Sequence, residues 1–257
     1  MVCVGEWPWQ VLVGEECGGS LLSEDWVITA AHCVEYVDTL DEIVIKLGEY
    51  NNETNEEPYN AVWRGVQRLH IHDDYKGQLN YKFSEYDVAM LKLDTPVTFA
   101  PHIVPVCLPE TGQDFGGDNG WATGWGNTVQ SLPEADYVYE DYPSILREVN
   151  VPLKTANKCE DDFRDHPSQS NLSSLEKLRA GYRVKTLFLC AESTVTDHGP
   201  RDTCQGDSGG PFVVQRPDGR YVLAGITSWG EGCGYLGGYY TRLSVIDVMD
   251  WIKSKMF

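Results

Sequence analysis

The sequence predicts an all-β protein of the antiparallel barrel class, and three observations carry that expectation. Short runs of β-branched and aromatic residues recur along the chain, separated by turn residues. A length of 257 residues is enough to bury a sizeable core, and all-β chains of this size commonly form one domain, so residues 1–257 are read as a single unit. The eight cysteines include no Cys-x-x-Cys pair, which argues against a zinc ribbon and for structural disulfides, hence an oxidising, extracellular setting.

Taken in order, Met1–Glu6 has neither a basic start nor an apolar run, so no signal peptide lies there, and the chain is expected to be incomplete at its N-terminus. Trp7–Val13 opens the body with an aromatic and β-branched run. Cys17–Ser23 and Trp26–Thr29 follow, a pattern that fits two short strands and a turn. Further strands are read at Ile43–Leu47, at Ala61–Trp63 and at Asp87–Leu93, where Val88 and Met90 point to the core. Val245, Val248, Ile252 and Met256 recur at helical spacing, and Ser244 with Asp247 resembles a capping box, so a helix is expected over about 244–256. No internal repeat or low-complexity tract interrupts the chain.

The net charge of −19 argues against a nucleic-acid partner and has two readings, a plain solvated surface or an acidic face that attracts cationic partners or substrates. No apolar run approaches the length of a membrane span.

The chemistry concentrates in Cys204-Gln205-Gly206-Asp207-Ser208-Gly209-Gly210-Pro211, where three glycines leave room around one hydroxyl. A serine becomes a useful nucleophile only when a base takes its proton and an acid holds that base in one tautomer. Thr29-Ala30-Ala31-His32-Cys33 supplies an imidazole, and Asp87-Val88-Ala89-Met90-Leu91 a carboxylate leading into an apolar run. These three stretches, in the order His32, Asp87, Ser208, resemble the signatures of the chymotrypsin/trypsin-fold serine endopeptidases, and the likeness runs from Gly5 to Trp251.

The resemblance implies two packed six-stranded antiparallel barrels, about 1–105 and 106–242, divided near Pro101 to Pro109, with the C-terminal helix behind them. It implies that Ser208 attacks a peptide carbonyl, that His32 accepts and returns the proton, and that Asp87 orients His32. The amides of Gly206 and Ser208 become the oxyanion hole, where one donor contributes about 3 kcal/mol. Asp202, six residues before Ser208, falls at the base of the pocket for the residue preceding the scissile bond (P1). A buried carboxylate left unpaired costs about 3–5 kcal/mol, so that pocket should demand Arg or Lys. Thr203, Gly230 and Gly238 match its walls, and Ser228-Trp229-Gly230 resembles the strand that pairs with the substrate backbone.

Disulfides Cys17–Cys33, Cys159–Cys190 and Cys204–Cys233 follow from the family pattern, the first closing a loop whose constraint is worth about 3 kcal/mol. Gly120 and Val214 stand where a further bridge of many relatives would fall. For Cys3 and Cys107 three readings stay open: Cys107 as a tether to an upstream chain, a Cys3–Cys107 bridge, or free thiols.

Departures from the pattern are equally informative. Active relatives begin with Ile-Val-Gly-Gly, whose freed ammonium pairs with the acid before the nucleophile, here Asp207; this chain has Met1-Val2-Cys3 instead, so as written it is expected to be zymogen-like. Four residues separate Cys233 from Gly238, and Gly237 replaces the usual Pro or Tyr. The Cys159 to Cys190 span and the acidic, tyrosine-rich Ser131–Tyr142 segment are long, and are expected either to narrow the choice of substrate or to form solvated loops. Asn52-Glu53-Thr54 and Asn171-Leu172-Ser173 are glycosylation sequons. Glu49, Asn51 and Glu56 resemble part of a calcium loop, although Tyr59 replaces its last acid. No cofactor is otherwise required.

The sequence therefore favours a secreted endopeptidase cutting after Arg or Lys in limited proteolysis, restrained by serpin-type or small protein inhibitors. The alternatives are a catalytically silent homologue that binds partners, and a general digestive role.

Overall fold

A computed structural model describes residues 2–54, 59–77, 83–129, 140–192, 194–196, 199–230, 232–233 and 237–256. Strands β1 (Gln10–Val13), β2 (Cys17–Leu21), β3 (Trp26–Thr29), β4 (Ile45–Leu47), β5 (Val62–Arg64), β6 (Val66–Ile71) and β7 (Ala89–Leu93) form an antiparallel sheet in the order β5-β4-β1-β2-β3-β7-β6. Only Gly65 separates the two edge strands, so one bent segment pairs with β4 on one side and β7 on the other, and the seven strands close into a barrel of six staves. The bend brings Gly65 against Asp94, where a Cβ would come within 2.8 Å of Oδ2, and the Gly65 carbonyl accepts from Asp94 N at 2.9 Å. The apolar β3 run is buried at every position because both of its faces are covered.

The second sheet contains β8 (Asn119–Gly124), β9 (Arg147–Pro152), β10 (Phe188–Cys190), β13 (Pro211–Gln215), β14 (Tyr221–Trp229) and β15 (Tyr239–Arg242), ordered β10-β15-β14-β13-β8-β9. Between them β11 (Thr194–Thr196) and β12 (Gly199–Arg201) pair as a separate ribbon. The edges β9 and β10 are stitched just beyond the strands: Lys154 N donates to Cys190 O and Glu192 N to Pro152 O, both at 2.8 Å. Phe212 and Tyr240, with ring centroids 4.2 Å apart, fill this barrel beside Ala122, Val151 and Val222. Gly120 faces the Phe212 ring directly, leaving no room for a Cβ there.

Helix α3 (Ile246–Met256) buries Val248, Met249, Trp251 and Ile252. The expected capping box is not formed by Ser244. Its hydroxyl donates to Gln113 O at 2.7 Å and accepts from Arg242 Nε at 2.9 Å, so it ties β15 to the segment before β8.

The long span between Cys159 and Cys190, for which solvated loops stood as one reading, instead folds into α1 (Ala156–Asp165) and α2 (Ser174–Leu187). Thr155 caps α1 by accepting from Lys158 N, and Ser173 with Glu176 makes a reciprocal box at the start of α2. Phe163 carries the insert onto the body, meeting Phe83 edge to face at 5.6 Å and Trp229 at 6.3 Å.

Candidate active site

His32 sits on a short helical turn, Ala31–Cys33, that leaves the end of β3 and is fastened by the Cys17–Cys33 disulfide. Asp87 enters β7 almost fully buried and accepts three hydrogen bonds: His32 N at 3.0 Å, His32 Nδ1 at 2.7 Å and Ser228 Oγ at 2.6 Å. An ionised carboxylate only accepts, so Nδ1 carries the proton and Nε2 is the basic nitrogen. Burial by itself disfavours the imidazolium, but the Asp87 hydrogen bond and charge, with a further push from Glu35, raise His32 above its ordinary value. Tyr86, immediately before Asp87, adopts a positive φ of 54° and stacks on the buried His72 ring at 4.7 Å. A left-handed conformation in a bulky residue is costly and marks the turn that aims Asp87.

Ser208 belongs to the loop before β13. Its carbonyl accepts from Gly18 N at 2.7 Å, and Gly209 N donates to Thr227 O at 2.8 Å. Gly209 has φ +76° and lies against Thr29, the Gly18 carbonyl and Ala30 N, a gap that admits no Cβ. The serine loop of one barrel is thereby seated on the strand that leads to His32 in the other. Among the described residues the Ser208 hydroxyl makes no hydrogen bond. Gly206 has φ +93°, and neither its amide nor that of Ser208 donates to an acceptor among the described residues, which leaves two donors side by side.

Asp202 and Thr203 stand half-buried in front of Gly238. Thr203 N donates to Asp202 Oδ1 at 2.8 Å, and a Cβ on Gly238 would come within 2.9 Å of both Asp202 Oδ1 and Thr203 Oγ1. The exposed Gly230 faces Gly238 at ordinary van der Waals distance. Behind them lies the Tyr240 hydroxyl, 3.4 Å from Thr203 Oγ1, its proton held by burial and by the nearby Asp202 charge. Gly237, with φ +85°, packs against the Ala191 carbonyl, which explains a glycine at the rim. Cys204–Cys233 joins the loop after Asp202 and Thr203 to the segment before Gly238, and Cys159–Cys190 ties α1 to β10. Cys3 and Cys107 are exposed free thiols.

The Asp207 carboxylate turns inward between Gly124 and Gly126, accepting from Gly126 N and Cys204 N, each at 2.9 Å. Burial pushes it up to about 6, against the downward pull of those two amides. It borders a cavity of about 630 Å³ that also touches Trp121, Asn127, Asp202 and Cys204.

The calcium reading meets a different partner. Glu49 is buried, and the buried Lys46 ammonium pairs with its carboxylate while Tyr50 N donates to Oε1 at 2.9 Å. With an ammonium already on Oε2 and an amide on Oε1, Glu49 does not fit a calcium ion; Glu56 lies outside the described residues. Tyr59 stacks on His102. Asn52 and Asn171 are both exposed. Of the Ser131–Tyr142 segment, residues 131–139 lie outside the described residues, while Tyr142 is exposed and lies beside Gly206.

A second cavity, about 410 Å³, is lined by His32, Asp87, Ser228 and Trp229, which motif reading found, and by Glu35, Tyr36, Phe83 and Ser84, which it did not. Only the position of Glu35, three residues after His32, hinted at it.

The profile of the family described as Trypsin matches residues 2–252. The chain belongs to the trypsin family. It is similar to the serine proteinase stubble of Drosophila melanogaster, 38% identical over 254 residues, which is 93% of this chain and 28% of that protein. It is also similar to the serine protease filzig of the same organism, 37% identical over 262 residues, covering 97% of this chain and 14% of that protein. The chain thus spans less than a third of the length of these curated relatives. As a trypsin-family member it is a serine endopeptidase domain. Among the described residues no helix is long and apolar enough to cross a membrane.

Proposed function

We propose that this trypsin-family domain hydrolyses peptide bonds after Arg or Lys in limited proteolysis outside the cell. The observation that carries the reading is the buried Asp87 carboxylate fixing the imidazole of His32 through Nδ1 at 2.7 Å, with the Ser208 loop seated on the adjoining strand. His32 Nε2 takes the Ser208 proton as Oγ attacks the scissile carbonyl carbon. The carbonyl oxygen gains the negative charge and is met by the free amides of Gly206 and Ser208. His32 then gives its proton to the leaving amine, an acyl-serine remains, and water repeats the sequence in reverse order to free the acid. Asp87 keeps its charge throughout and stabilises the imidazolium.

Asp202 supports the preference for Arg or Lys, since the absence of a side chain on Gly238 leaves a cationic chain room to reach it. Asp207 is the group for an activating ammonium. Its carboxylate is enclosed and borders a cavity able to admit a chain end, and pairing it there would order the Gly206 to Ser208 loop. The three disulfides support an extracellular setting, Cys107 a tether to an upstream chain, and exposed Asn52 and Asn171 glycan attachment. Serpin-type and small protein inhibitors fit the same cleft. Lys46 supplies the positive charge that a calcium ion would otherwise bring to Glu49.

A silent binding homologue is favoured by one observation only, the Ser208 hydroxyl without a hydrogen bond among the described residues. A peptide panel varied at P1 separates the two readings once the protein has been activated by limited proteolysis. Cleavage confined to Arg and Lys, and lost in Ser208→Ala, is expected; an uncleaved panel would favour the silent homologue.

A further inference from the structure

The cavity of about 410 Å³ beside His32 is not explained by the triad or by the Asp202 pocket. A substrate chain running along Ser228 to Gly230 is extended, so its side chains alternate between opposite faces. With the P1 side chain directed to Asp202, the residue before it (P2) projects the other way, over the His32 ring and into this cavity. Its walls are chemically uneven. Trp229 is half-buried, its ring stacked on Tyr239 at 3.7 Å and parallel to Phe83 at 5.7 Å, whereas the Tyr36 ring is 87% exposed at the mouth. Glu35 is the partly exposed carboxylate on this lining, with the Tyr75 hydroxyl as its neighbour, whereas Asp87, the other, is buried under three hydrogen bonds. No lysine or arginine pairs with Glu35 among the described residues. Its charge reaches the catalytic ring, where it helps to raise the His32 imidazolium.

We infer that Glu35 makes this cavity a subsite for a cationic P2 side chain, so that the protein prefers paired basic residues, Lys or Arg followed by Arg or Lys. The inference rests on the proposed cleavage after Arg or Lys and sharpens it. A carboxylate at a partly solvated rim attracts an ammonium or guanidinium, and the exposed Tyr36 ring adds a cation–π contact. Together these amount to about a five- to tenfold gain in kcat/KM, not an absolute requirement.

The test compares fluorogenic peptides that share Arg at P1 and carry Lys, norleucine or Glu at P2. Norleucine keeps the aliphatic length of lysine without its charge. For the activated full-length protein at low salt the Lys peptide should exceed the norleucine peptide by about five- to tenfold, with the Glu peptide last, and the spread should narrow at about 1 M salt as the charges are screened. Glu35→Gln should bring the Lys to norleucine ratio within about twofold of one, and Glu35→Lys should place the Glu peptide first. Cleavage after Arg with a ratio near one in the unaltered protein, or a ratio that survives Glu35→Gln, overturns the assignment of Glu35 and leaves the P1 reading standing. Failure to cleave any of the three rejects both.

Discussion

Asp207→Asn tests the enclosed carboxylate on which activation is proposed to turn. The folded protein holds the Asp207 proton up to about pH 6, whereas an ordinary aspartate releases it near 3.8. The folded state therefore binds the proton more tightly. Stability from this group is present at low pH and is lost as pH rises from about 3.8 toward 6. A gap of roughly two pH units corresponds to about 3 kcal/mol. Asparagine cannot ionise, but its NH2 replaces one oxygen and cannot accept from Gly126 N or Cys204 N. That loss costs about 1–2 kcal/mol at every pH. The variant should therefore be somewhat less stable than the parent near pH 4 and more stable near pH 7.5, a relative change of about 2–3 kcal/mol. Urea unfolding of both proteins at the two pH values measures it, and taking the difference removes the remaining carboxylates, which the two share. Parallel stabilities across that range would refute a strained, buried Asp207. In activated protein, where an ammonium is proposed to fill the adjoining cavity, the sign at pH 7.5 should reverse.

Lys46→Met should destabilise the fold by about 3–5 kcal/mol in denaturant unfolding, because Glu49 is left charged and buried. For the unaltered protein, adding calcium or a chelator should leave Tm unchanged. Asp87→Asn is expected to lower kcat by about 10⁴-fold, a figure taken over from this family's triad and not worked from these distances. In the unaltered enzyme kcat/KM should rise with pH as His32 loses its proton, with a midpoint above that of an ordinary imidazole, since the base must be neutral to act. Gly238→Ala should raise KM for Arg peptides and lower stability, because a methyl on this buried glycine would come within 2.9 Å of Asp202 Oδ1 and Thr203 Oγ1 and 3.1 Å of the buried Tyr240 hydroxyl; an unchanged KM would place P1 elsewhere.

Local chemistry made much of this molecule legible. The strands over Trp26–Thr29 and Ala89–Leu93 follow from largely apolar runs, and the His32, Asp87 and Ser208 stretches announce themselves because a nucleophile, a base and an orienting acid need distinctive neighbours. What stayed hidden depends on distance in space. Lys46 looks like a solvent-facing lysine in a strand, and only its pairing with Glu49 beneath the Trp63 ring makes it a core residue. Glu35 is an ordinary turn acid until Trp229, 194 positions later, brings an aromatic wall to it. Gly65 gives no warning that one strand closes a barrel from both edges. The helices between Cys159 and Cys190 were written in Thr155, Ser173 and Glu176, yet Ser173 also completes a sequon, and the competing motif masked the cap. Ser244 was misread for the opposite reason: a capping pattern is local, and the Gln113 carbonyl that takes its hydroxyl comes from far away in the chain.

Fluorophosphonate labelling followed by peptide mapping interrogates the nucleophile most directly. The activated protein should take up one phosphonyl group per chain, on Ser208, at a rate that collapses in His32→Ala, with no label in Ser208→Ala. An adduct on another serine, or no adduct in protein whose Asp207 has received its ammonium, would contradict the assignment of Ser208, His32 and Asp87 as a working triad.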